Sequence, residues 1–220
     1  MTTKVTAHAG CEGTQAGSRE NIETALKSGA DVIEMDLRAL GDQLYLSHDP
    51  LQTDHLDAYL TFRQALELLQ DCCAEINCDL KEAGVLRIAL KILREMDMQE
   101  RAFFTGEIDE CHKAKEAGCR CFRNVEHYSF VEAGKQLSEQ EVRRLIQLYQ
   151  TDSEKHLTGF NVEYGMLTPE AIRLFAKERI PISCWLVDDE QAIRQLLREN
   201  ISYITTDRVK YAVSQRELLS

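Results

Sequence analysis

Apolar positions along the chain recur in two alternating rhythms. Short runs at period two, or continuously apolar, predict strands at Val5–Ala9, Val32–Ala39, Ala74–Leu80, Ala102–Thr105, Cys119–Val125, Gly159–Tyr164, Ile182–Val187 and Tyr203–Thr206. Between them, runs spaced three and four apart predict amphipathic helices. Ser18 caps the first, which runs to about Ser28 and is ended by Gly29. Further helices cover Thr61–Leu69, Leu86–Met96, Asp109–Ala117 and Ser138–Tyr149, the last with a Ser138/Glu141 capping box. Others start at Thr168-Pro169, with proline at the first helical position, run over Glu190–Leu197, and begin at Val209. Gln43–Ser47 reads as a short extension after the Gly41-Asp42 turn. No Pro/Gly-rich linker or low-complexity run interrupts this order, so one domain spanning 1–220 is expected. Eight βα units in 220 residues match a compact α/β TIM (β/α)8 barrel. An open doubly wound sheet is the rival, but no G-x-G-x-x-G or P-loop follows the first strand.

Composition changes this picture only at its edges. A net charge of −11 argues against nucleic acid and against an electrostatic hold on anionic membranes. Met1–Lys4 leads straight into the first strand without an apolar leader, and no run approaches ~20 apolar residues. The expectation is a cytoplasmic protein without stable membrane association. The eight cysteines lack C-x-x-C spacing, so they are expected as reduced, mostly buried thiols.

Candidate chemistry collects at strand ends. In Val32–Leu37, side-chain alternation puts Glu34 and Asp36 on one face, where two carboxylates repel unless a cation or proton lies between them. Such oxygen donors suit Mg²⁺ or Ca²⁺. Asn77, Asp79 and Lys81 share another strand face, adding a third carboxylate and a cation suited to phosphate. His8 and His48, beside the first two strands, supply imidazoles that titrate near neutrality. Glu163 and Trp185 sit at later strand ends, where a barrel places its site; Glu163 is a candidate to hydrogen-bond hydroxyls or join the metal shell, and Trp185 either to stack on a ligand or to plug the barrel top. Glu20, opening the first helix, is accounted for by the helix dipole.

His8-x-Gly10, Glu20-Asn21, Glu34-x-Asp36, His48-Asp49-Pro50, Asn77-x-Asp79-Leu80-Lys81, Trp185 and Ile204-Thr205-Thr206-Asp207 together resemble the glycerophosphodiester phosphodiesterase family, in the family's order and over almost the whole chain. The resemblance implies a TIM barrel that hydrolyses small phosphodiesters such as glycerophosphocholine to an alcohol and glycerol 3-phosphate. It also implies a divalent metal on Glu34, Asp36 and Asp79, with His8 and His48 as acid–base pair. We assign His48 as acid and His8 as base. Three departures bear on the site. Ala9 stands where the family has arginine, Asp79 where it has glutamate, and only the 27 residues 50–76 separate Asp49 from Asn77, too few for a capping insertion. Arg123, near the end of the fifth strand, is the candidate to compensate for the missing arginine. Two alternatives remain open: a phospholipase D- or C-like lyase on phospholipids, and a non-catalytic barrel that binds a phosphate ester.

Overall fold

The computed structural model describes residues 2–151, 155–199 and 201–219. Its frame is a closed parallel barrel of β1 (Lys4–Ala7), β2 (Val32–Leu40), β4 (Glu75–Leu80), β5 (Ala102–Gly106), β6 (Arg120–Asn124), β7 (Gly159–Glu163), β8 (Ile182–Trp185) and β9 (Tyr203–Thr206). β1 pairs in parallel with both β2 and β9, which leaves the barrel no open edge. β3 (Gln43–Leu46) lies outside this ring and pairs antiparallel with the far end of β2 as a hairpin. The fold is therefore the expected TIM (β/α)8 barrel, with one added hairpin strand.

Helices α1 (Arg19–Lys27), α2 (Phe62–Glu67), α3 (Val85–Glu95), α4 (Cys111–Glu116), α5 (Glu139–Gln150), α6 (Pro169–Lys177), α7 (Glu190–Arg198) and α8 (Val209–Leu219) connect and surround the strands. The caps are those the sequence carries: Ser18 accepts from the Asn21 N–H, and Ser138 and Glu141 close a capping box. Thr61 and Gln64 form a second box, at the start of α2. β1 stops at Ala7 rather than Ala9, because Gly10 takes a left-handed φ of 109° and turns the chain into a short 3-10 turn, Cys11–Gly13. His8 is thereby lifted off the strand end, its N–H donating to the Thr206 carbonyl.

Strand alternation sorts the residues into two environments. Ile33, Met35, Leu37, Ile76, Cys78, Leu80, Phe104, Cys121, Val162, Cys184 and Ile204 join the apolar layer shared with the helices. The lumen holds the alternate residues. A separate cluster of Val32, Phe103, Phe122 and Tyr203 plugs it. Its rings lie 4.9–5.4 Å apart by centroid. Towards the amino-terminal mouth, Glu75 pairs with Lys4 at 2.8 Å and Arg120 at 3.0 Å and accepts from the Tyr203 hydroxyl. Above the plug, Thr6, Asn77, Thr105, Asn161, Ser183 and Thr205 are buried. TIM-barrel interiors are dominated by branched apolar side chains, so this polar layer marks a lumen open to chemistry at its carboxyl-terminal end.

Candidate active site at the carboxyl-terminal mouth

Register brings the expected strand residues together. Glu34 pairs with Asn77, and Asp36 with Asp79, which in turn pairs with Thr105 on β5. The Asn77 amide donates to Glu34 Oε2 at 3.1 Å. The Thr105 hydroxyl lies 2.9 Å from Asn77 Oδ1 and 2.8 Å from Asp79 Oδ1, and its one proton serves one of them at a time. Lys81 Nζ stands between the two aspartates, 3.0 Å from Asp36 Oδ1 and hydrogen-bonded to Asp79 Oδ2. The contact to Asp36 is an ion pair without hydrogen-bond alignment, so that buried oxygen accepts no hydrogen bond.

Charge is unevenly balanced here. Burial pushes the Glu34 carboxyl strongly upward, and Asp79 and Asp36 add to this against His8 and Lys81. Burial likewise raises Asp36, although Lys81 opposes it. Lys81 itself is held charged: the two aspartates outweigh its desolvation and raise its pKa. Three carboxylates thus share one ammonium, and crowding with burial discourages ionisation of Glu34 and Asp36. In donor chemistry and charge this set fits a hard divalent cation. Among the described residues, however, no three His, Cys, Asp or Glu side chains already converge on one coordination point. Lys81 is the counter-ion that joins Asp36 to Asp79.

The two histidines differ sharply. His8 is half-buried, with Nδ1 2.8 Å from Asp207 Oδ1 and Nε2 3.9 Å from Glu34 Oε1. Burial opposes its charge, but the Asp207 hydrogen bond and the charges of Glu34, Asp207 and Asp36 outweigh that and raise its pKa to about 9. Asp207 is fixed in turn by its N–H, which donates to Asp188 Oδ1. His48 is 67% exposed and touches Asp49 at 3.1 Å. Glu163 and Trp185 pair in register across β7 and β8, opposite β2 and β4 around the barrel, away from the carboxylates. The Trp185 indole N–H is buried without a hydrogen-bond partner. A surface cleft of about 1010 Å³ adjoins His48, Asp49, Tyr45, Tyr59 and Arg19 and includes none of the three carboxylates.

Arg123 does not replace the missing arginine at the mouth. It sits on the outward strand face, its guanidinium against Cys111 Sγ and the Tyr128 ring. All eight cysteines are free thiols, and Cys78 faces the helix layer as expected. Arg38 lies two residues beyond Asp36 on the same strand face, and only its partners in the fold give it a role. Asp207 is visible in the sequence only as the end of the closing tetrapeptide. Among the described residues no helix is long and apolar enough to cross a membrane.

No family model and no curated protein matches the chain. Solved structures do. A glycerophosphodiester phosphodiesterase from Parabacteroides distasonis superposes with a TM-score of 0.76 at 19% identity, over 99% of this chain and 98% of that one. Its counterpart from Thermotoga maritima gives 0.75 at 18% identity, over 97% and 98%. An Oleispira antarctica phosphodiesterase in complex with the product sn-glycerol-3-phosphate gives 0.73 at 15% identity, over 98% and 97%. At these identities the likeness establishes a shared whole-chain barrel fold.

Proposed function

We propose that the chain is a metal-dependent phosphoric diester hydrolase that cleaves glycerophosphodiesters to an alcohol and glycerol 3-phosphate. One observation carries the reading. His8 with Asp207, Glu34, and the Asp36–Lys81–Asp79 group meet at one barrel mouth, in a chain that superposes end to end on glycerophosphodiester phosphodiesterases.

A phosphodiester is a stable anion, so its cleavage requires charge neutralisation at the phosphoryl oxygens and proton transfer at two alcohol oxygens. Glu34, Asp36 and Asp79 are the residues to hold Mg²⁺ or Ca²⁺, which when bound supplies Lewis-acid charge to those oxygens. Lys81 adds a fixed ammonium. Asp207 keeps the His8 proton at Nδ1 and leaves Nε2 for proton exchange. As long as Glu34 and Asp36 are uncompensated, their fields hold a second proton on that ring. A cation held by Glu34 and Asp36 would offset those fields, leaving desolvation opposed by Asp207 alone and letting His8 serve as base. His48, at the solvent edge, is the acid that returns a proton to the leaving alkoxide. Glu163 and Trp185 face the substrate's alcohol or glycerol portion from across the mouth.

The test is a panel of water-soluble glycerophosphodiesters and phospholipids assayed after EDTA treatment and after return of Mg²⁺ or Ca²⁺. Turnover of soluble diesters that EDTA abolishes and metal restores is expected, with Asp36→Ala losing the metal-induced rise in melting temperature. Cleavage of phospholipids alone points to the lyase reading. Phosphate-ester binding without turnover points to a binding barrel.

A further inference from the structure

His48 presents a puzzle of placement. Proton transfer needs a donor within hydrogen-bond reach of its target, yet this ring is largely exposed and its side-chain partner among the described residues is the still more exposed Asp49. What fixes it is its backbone. The His48 carbonyl accepts two hydrogen bonds from Arg38, from Nε at 3.0 Å and NH2 at 2.9 Å. Arg38 belongs to β2, two residues beyond Asp36, with its side chain 17% exposed. Its remaining nitrogen, NH1, pairs with Glu82 Oε2 at 3.2 Å. Glu82 Oε1 accepts the Ala39 N–H at 2.8 Å. Glu82 directly follows Lys81. The guanidinium therefore ties together the strand bearing Glu34 and Asp36, the segment following Asp79 and Lys81, and the peptide bearing His48.

We infer that Arg38, held by Glu82, is the positioning residue that sets His48 against the carboxylate cluster. A planar fork of this kind fixes the orientation of the peptide plane it grips, not only its distance. Arg38 is largely buried and commits a bond from each of its three nitrogens to the His48 carbonyl or to Glu82, so its role is exerted through His48. The inference rests on the reading of His48 as an acid–base group.

The experiment compares Arg38→Gln, Glu82→Gln, His48→Ala, His8→Ala and the Arg38→Gln/His48→Ala double variant. Substrates are glycerophosphocholine and the p-nitrophenyl ester of glycerol 3-phosphate, whose leaving group needs little protonation. Arg38→Gln is expected to lower kcat on glycerophosphocholine by roughly 10–100-fold with KM little changed, the size of a displacement of about 1 Å. It should share the substrate dependence of His48→Ala, not that of His8→Ala, and the double variant should lose little more than His48→Ala alone. Amide exchange over residues 47–49 should quicken without substrate. Should Arg38→Gln not fold, Glu82→Gln carries the same expectations in weaker form. Equal losses on both substrates, additivity with His48→Ala, or unchanged kcat overturns the inference alone. A fully active His48→Ala overturns the acid–base reading, and the inference with it.

Discussion

His8 is constrained at both ring nitrogens, and that constraint sets its chemistry. The Asp207 carboxylate requires a proton at Nδ1, which leaves Nε2 free to face Glu34. Asp207→Asn offers an amide that can donate instead, favouring the opposite tautomer. We expect kcat to fall by about 10²–10⁴ with modest change in KM, because the tautomer rather than the fold is lost. Ring ¹⁵N shifts of His8, taken above about pH 9 where the wild-type ring is neutral, read the tautomer directly; a wild-type pattern in Asp207→Asn would sink this account. The pair also shows what a sequence conceals at this scale. Glu34 and Asp36 were legible because they are two apart on a strand, and Asp79 and Lys81 likewise. His8 and Asp207 are 199 positions apart, and only barrel closure through β1 and β9 makes them neighbours. Arg38 was within reach of the same period-two argument but lacked an evident role until its carbonyl partner was seen.

At the scale of elements, strand alternation was the most readable feature, since one face is largely apolar in most of the barrel strands, β6 with its outward Arg123 being an exception. Boundaries were less so: β1 ends two residues early at a glycine-led turn, and Gln43–Leu46 became a hairpin strand because β2 runs on to Leu40 beyond the barrel. The close approach of β4 and β5 could not be read at all. Gly106, at the end of β5, has a φ of +76°, and a Cβ there would lie 2.3 Å from the Leu80 carbonyl and 2.7 Å from Asp79 Oδ1. Gly106→Ala should therefore cost about 1–3 kcal/mol of stability and push Asp79 from its place beside Lys81. Gly41, in the β2–β3 turn, also has a positive φ of +60° but open space around it. Thermal melts with and without Mg²⁺ separate the two effects. Gly41→Ala should keep its metal-induced shift, and Gly106→Ala should lose most of it. Equal shifts would show that Asp79 tolerates the displacement and is not a ligand.

Across the whole molecule the lumen runs from a salt-bridged floor, through an aromatic plug, to a mouth crowded with carboxylates, and the two ends respond oppositely to pH. At the floor, burial of Glu75 is outweighed by Lys4 and Arg120, so its pKa is lowered. A lowered carboxylate stabilises the fold above its ordinary value of 4.5 and loses that contribution as pH falls through the folded value. At the mouth the sign reverses. His8 binds its proton up to about 9 instead of 6.5, and Glu34 is also raised. The folded state then holds more protons than the unfolded chain, so this contribution is complete below the unfolded values and drains away as pH rises towards 9. Metal-free protein should be most stable at about pH 4.5–5 and should weaken from there to pH 9, more steeply above 6.5 where His8 adds to Glu34. A cation on the carboxylates displaces those protons, so the stabilisation given by Mg²⁺ or Ca²⁺ should grow over the same interval. Urea midpoints at half-unit steps from pH 5 to 9.5, with EDTA or with metal, decide this, and Glu34→Gln should flatten the metal-free slope. A metal-free midpoint that stays level between pH 6.5 and 9 would mean that the mouth does not store protons, and that the carboxylates are fully neutralised by Lys81 and His8 without any cation.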